Sequence, residues 1–210
     1  LLLKRTWQNN PALLTLTKFA SNQQVIDDVT NYLRKASLIP NDVKAAQTPT
    51  YLRAVAGRMG PANSLSEAAF VRVDFFRNNL DTIDKETKKV ISSYPFYRLD
   101  SDHCLIRAVL SGSRDNNEKV VELDYAYTTV DYSRSGTYPI KSGDAAWQEF
   151  EKGGGYVTGK SPKTGTVAVR RIFLGYLDSP SQNYAMPIYV FVGDGFVGYL
   201  SAVTDNVLKK

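Results

Sequence analysis

From residue 49 onward the apolar residues of this chain recur at every second position, in short runs separated by segments rich in Gly, Asn, Asp and Ser. That period constrains the fold more than any other feature. Alternation over four to eight residues puts one row of side chains on a buried face and the other on a solvated one, which is the signature of a half-buried strand. It predicts strands at 50–56, 67–76, 104–111 and 119–130, with the clearest alternation at Val71, Val73 and Phe75 and at Val121, Leu123, Tyr125 and Tyr127. After a break the pattern returns at 155–159, 166–177, 185–192 and 196–203. Thirteen Tyr and nine Phe fit the same picture, since aromatic rings suit a pleated surface.

The connections point to antiparallel pairing. Gly193-Asp194-Gly195 joins the last two strands with residues that tolerate the positive φ of a tight reversal, and Arg114-Asp115-Asn116-Asn117 joins two earlier ones. Residues 1–20 read as two extended runs around the turn signal Asn9-Asn10-Pro11, that is, a hairpin.

Two helices interrupt the strands. Ser21 stands three residues before Gln24 and opens a run with Val25, Ile26, Val29, Tyr32, Leu33 and Ala36 at helical spacing, closed before Pro40. Ser142 opens a second, with Asp144 in its first turn, Ala146, Trp147 and Phe150 on one face, and Gly153-Gly154-Gly155 as its left-handed exit. The order helix, then antiparallel strands, thus occurs twice. It predicts an α+β fold with antiparallel sheets each packed by a helix, as two similar helix-plus-meander units over residues 1–135 and 136–210.

The chemical motifs fail when their partners are counted. Gly154 to Gly159, Lys160 and Ser161 match a phosphate-binding loop, but that loop needs a strand before it and a helix after it, and here the order is reversed. Lys163-Thr164-Gly165 matches one element of penicillin-interacting serine enzymes, yet no Ser is followed three residues later by Lys. His103 and Cys104 are single, and neighbouring side chains on a strand point to opposite faces, so a thiol–imidazole pair is not expected and Cys104 reads as a small core residue. Asp100-Ser101-Asp102 lacks the Gly and distal Glu of a calcium loop. These readings predict no catalytic residue, no cofactor and no metal site.

Lys and Arg exceed Asp and Glu by 26 to 21, but the cations are scattered in short groups such as Lys85, Lys88 and Lys89, or Arg170 and Arg171. A nucleic-acid binder concentrates them in a stripe, so nucleic acid is not an expected partner. No apolar run reaches the roughly 20 residues that span a bilayer, so membrane association would come only through an anchor outside this segment. Tyrosines on strands offer large contact area at small entropic cost, and Tyr189 and Tyr199 of the C-terminal hairpin are the candidate partner contacts.

The stretch Tyr138-Pro139-Ile140-Lys141-Ser142-Gly143-Asp144-Ala145-Ala146-Trp147-Gln148-Glu149-Phe150, followed by Gly154-Gly155-Tyr156-Val157, resembles bacterial cell-surface domains of PepSY-like type. Residues 171–179, 186–191 and the Gly-Asp-Gly hairpin continue the resemblance, and Val71 to Arg77 resembles a strand upstream of that module. The resemblance implies an extracytoplasmic, cell-envelope domain of a membrane-anchored protein or lipoprotein. Its implied role is non-catalytic interaction or scaffolding with another protein or envelope component, with a regulatory or peptidase-inhibiting domain as the alternative and a hydrolytic enzyme as the third reading left open by the residues.

Overall fold

The computed structural model describes residues 1–15, 19–99, 103–159 and 167–205. It divides into two compact units, each drawn from two stretches of chain. Unit 1 comprises 1–77 and 104–127, and unit 2 comprises 78–103 and 128–210, in place of the single boundary at 135/136 suggested by the sequence pattern.

Unit 1 is a seven-stranded sheet. It contains β1 (Leu2–Lys4), β2 (Val43–Ala45), β3 (Thr50–Val55), β4 (Arg58–Pro61), β5 (Phe70–Arg77), β9 (Ile106–Ser111) and β10 (Val120–Tyr125), in the order β1-β10-β9-β5-β3-β4, with β2 also pairing β5. Helix α2 (Asn22–Lys35) lays Val25, Val29 and Leu33, one residue per turn, against Val71, Val73 and Phe75 of β5. All six are buried, and each such side chain contributes about 1.5–3 kcal/mol of hydrophobic stabilisation. The helix starts where Ser21 Oγ accepts from the Gln24 amide at 3.1 Å.

It stops for a reason the sequence did not show. Ser37 adopts φ +56°, the Leu38 amide donates to Leu33 O and the Ser37 amide to Arg34 O, so the helix is closed by a paired C-terminal motif five residues before Pro40. The expected N-terminal hairpin is also absent. After β1, Asn10 Oδ1 accepts from the Ala12 amide and Pro11 takes the first helical position, where its missing N–H is no loss, so α1 (Pro11–Thr15) forms instead. Leu16 to Lys18 lie outside the described residues. The Arg114–Asn117 loop likewise holds a short helix, α3 (Asn116–Lys119), whose first turn is capped by Asp115.

Unit 2 contains a two-stranded ribbon, β6 (Leu80–Ile83) with β7 (Val90–Tyr94), and a five-stranded sheet. The sheet comprises β8 (Phe96–Tyr97), β11 (Tyr156–Gly159), β12 (Val169–Leu177), β13 (Met186–Gly193) and β14 (Phe196–Ser201), in the order β11-β14-β13-β12-β8. Its neighbours pair antiparallel except β8, which lies parallel to β12. Helix α4 (Gly143–Glu151) starts where Ser142 Oγ accepts from the Ala145 amide at 3.2 Å. It ends on Gly153 at φ +86°, with the Gly153 and Gly154 amides donating back to Phe150 O and Glu149 O.

The α+β class expected from the sequence is therefore corrected. Among the described residues strand accounts for 40% and helix for 18%, with several sheets and only four short α-helices. The segments 43–45, 58–61 and 80–97, which carry no clean alternation, supply additional strands. The two large sheets also differ in strand number and order, so the units do not share one helix-plus-meander plan.

Candidate binding edge of the five-stranded sheet

Alternation in β12 and β13 assigns their side chains to two faces. Ile172 opposite Phe191 and Leu174 opposite Tyr189 face one way, while Arg171 opposite Val192 and Phe173 opposite Val190 face the other. The first face is covered by α4. Ala146 is fully buried there, Trp147 and Phe150 pack beside it, and the Phe150 ring stacks on Phe191 at 4.1 Å between centroids and 2° between planes. A methyl group at Gly198 would fall 2.3 Å from Phe150 Cζ, so the ring rests directly on the β14 backbone. Lys141 fastens the start of this helix, its ammonium reaching Glu149 at 2.7 Å and Asp205 at 3.1 Å. Burial alone would lower its pKa, but the two carboxylates outweigh it and hold the group above the ordinary lysine value.

The second face is covered by the segment that follows β7. Tyr97 and His103 lie over Tyr199, with ring centroids 5.5–5.9 Å apart, and Tyr97 also approaches Phe173. His103 takes φ +55° and places Nδ1 2.6 Å from Arg98 O, and Nε2 3.0 Å from the Tyr199 hydroxyl. A carbonyl only accepts, so Nδ1 carries the proton and Nε2 receives the tyrosine O–H in the neutral ring. Burial pushes the Tyr97 phenol above its ordinary value, against the opposing charge of Arg171. Beyond His103 lies a shallow cleft of about 290 Å³ lined by Thr158, Val192, Phe196, Val197 and glycines. Its described lining holds no charged side chain.

Both faces being covered, the accessible backbone is at the sheet's rim. Eight of the nine residues of β12 pair with β13, but β8 covers only Tyr176 and Leu177 on the other side. The Tyr176 amide donates to Pro95 O at 2.9 Å and the Asp178 amide to Tyr97 O at 2.8 Å. The even-numbered backbone groups thus point outward, which places the N–H and C=O of Ile172 and Leu174 on the same rim. Pro95 has no amide to prolong the β8 ladder. Among the described residues, no strand pairs with 169–174 on this side. Upstream, a bulge between Val169 and Arg171 and the bidentate Arg170–Asp194 pair, at 2.7 and 2.5 Å, blunt the edge as natural edge strands commonly are. Arg170 holds the Asp194 carboxyl below the usual range. Ile172 remains 44% exposed.

Tyr189 and Tyr199, the expected partner contacts, are both buried and cannot be reached by a partner in this fold. Tyr189 donates to Lys141 O at 2.7 Å under α4, and Tyr199 lies beneath His103. A strand in the middle of a sheet covered on both sides buries every ring it carries, and the exposed tyrosines are instead Tyr132, Tyr138, Tyr156 and Tyr184. The residues of the rim, Arg171, Ile172 and Leu174, were visible to sequence reading only as members of an alternating strand, because edge position is a property of the assembled sheet.

The motifs weighed from the sequence resolve similarly. Tyr156 to Gly159 of the phosphate-loop match form β11 and pair with β14, and a methyl group at Gly155 would meet Tyr199 O at 2.3 Å, so this stretch is a strand and not an arch of amides. Lys160, Ser161, Lys163 to Gly165 and Asp100 to Asp102 lie outside the described residues. Cys104 precedes β9 and is half-buried, its Sγ receiving Arg107 Nη2 at 3.3 Å, in place of the core position expected. Among the described residues no group of three or more His, Cys, Asp and Glu could hold a metal ion.

No protein-family model matches the chain, and neither the curated proteins nor the solved structures yield a match. The likeness of residues 138–203 to PepSY-like domains therefore rests on the quoted residues alone.

Proposed function

We propose that this chain is a non-catalytic interaction module that takes an extended segment of another protein onto the outer edge of β12. One observation carries the reading: β12 is paired on its inner side along its length except at the Arg170 bulge, while Ile172 and Leu174 direct their backbone groups outward with no described strand pairing with them there. Strand addition draws affinity from such main-chain groups and requires no catalytic side chain. The setting in this proposal is the extracytoplasmic side of a cell envelope, as the resemblance implies, and fractionation of the native cells tests it.

Peptide selection tests the mode of binding. Random peptides displayed on phage are selected against the full chain and then offered to Ile172→Pro, which deletes one outward N–H while leaving the amides that face β13. Extended, β-forming sequences that lose binding to the variant support the reading. Selected peptides that bind the variant equally well contradict it.

A further inference from the structure

We propose that the occupant of this edge is an acidic extended peptide, with an Asp or Glu beside Arg171 and apolar residues beside Ile172 and Leu174. The inference rests on the strand-addition reading and adds the chemistry of the partner.

The charge at the rim is specific to one side chain. Arg170 is already neutralised by Asp194, both of them about two-thirds exposed. Arg171, the next residue, is exposed and makes no ion pair among the described residues. It projects from the His103 side of the sheet, whereas Ile172 and Leu174 project from the α4 side. An incoming strand obeys the same alternation, so its residues on the His103 side meet a guanidinium and those on the α4 side meet two aliphatic side chains. A carboxylate satisfies the first position, because a guanidinium fork matches its two oxygens. A β-branched or aliphatic residue satisfies the second.

The length of the docked segment is bounded at both ends. The bulge between Val169 and Arg171 shifts the register and bends the strand upstream, and β8 occupies Tyr176 and Leu177 downstream. The recognised segment is therefore short and centred on Ile172 and Leu174. The chain's formal charge of +5 favours approach of an acidic partner in the same sense.

Fluorescence anisotropy on the full chain tests this with two labelled probes, a short peptide alternating valine and glutamate and its counterpart alternating valine and lysine. The wild type should bind the glutamate probe and discriminate against the lysine probe. Arg171→Glu should weaken the glutamate probe about tenfold and strengthen the lysine probe, since an exposed pairing is modest and reversal counts it twice. Ile172→Pro should abolish both, and circular dichroism confirms that each variant is folded. If Ile172→Pro misfolds, the charge-swap arm decides alone. Absence of glutamate-probe binding, or equal affinity for both probes regardless of Arg171, overturns the acidic occupant. The edge reading itself fails separately, if probe binding persists undiminished in folded Ile172→Pro.

Discussion

Removing the Phe150 ring should unfasten α4 from the five-stranded sheet. The ring lies flat on Phe191 at 4.1 Å and sits over Gly198, with one side open to solvent. Deleting a fully buried Phe costs about 3–5 kcal/mol, so the half-buried position places Phe150→Ala near the lower end, about 3 kcal/mol. Of this, about 1 kcal/mol should be coupling to Phe191, measurable as the interaction energy of a double-mutant cycle. In a Trp7→Phe background the emission comes from Trp147 alone, which packs 6.2 Å from Phe191 and so reports unit 2. With a urea slope of about 2 kcal/mol per molar, the midpoint should fall by about 1.5 M. Gly198→Ala should act on the same contact from below by lifting the ring, at a cost of about 1–3 kcal/mol. A shift under about 0.5 M for Phe150→Ala, or a Gly198→Ala variant as stable as wild type, would show that the stack does not hold the helix and that the account of this face is wrong.

Ser142→Ala removes the hydroxyl that accepts from the Ala145 amide and should cost about 1 kcal/mol in the same melt; no loss would mean that the cap is idle. Ser37→Gly relieves a side chain held at φ +56° and should stabilise unit 1 by about 0.5–1 kcal/mol, read from the thermal midpoint, with destabilisation as the contrary result. The folded Tyr97 phenol titrates above its ordinary value of 10.0, so the unfolded chain releases its proton first as pH rises, and the stabilisation, complete below about pH 10, is lost on the alkaline side. Tyr97→Phe should flatten the decline of stability above that pH, and an unchanged alkaline profile would remove Tyr97 as its cause.

Local order was more legible in this sequence than assembly. The caps at Ser21 and Ser142 and the glycine exit at Gly153 were readable because each depends on residues within one turn of chain. The eight alternating runs were readable for the same reason. What escaped were strands with no alternation, such as β6 to β8, whose pairing is set by distant segments, and the left-handed Ser37, where a residue other than glycine closes the helix. The candidate site escaped for a deeper reason. Tyr189 and Tyr199 look like contact residues until α4 covers one face and Tyr97 and His103 the other, and nothing local to 185–203 announces those lids. Ile172 and Leu174 become notable only when β8 proves to cover no more than two residues of β12.

Amide hydrogen exchange along β12 tests the open edge most directly. In the free protein the Phe173 and Gly175 amides, which face β13, should be protected, while those of Ile172 and Leu174 should exchange at rates near those of unstructured chain. Adding the alternating valine–glutamate probe should slow Ile172 and Leu174 and leave Phe173 and Gly175 as they were. Protection of Ile172 and Leu174 already in the free protein would mean that the edge is covered, and would contradict strand addition at β12.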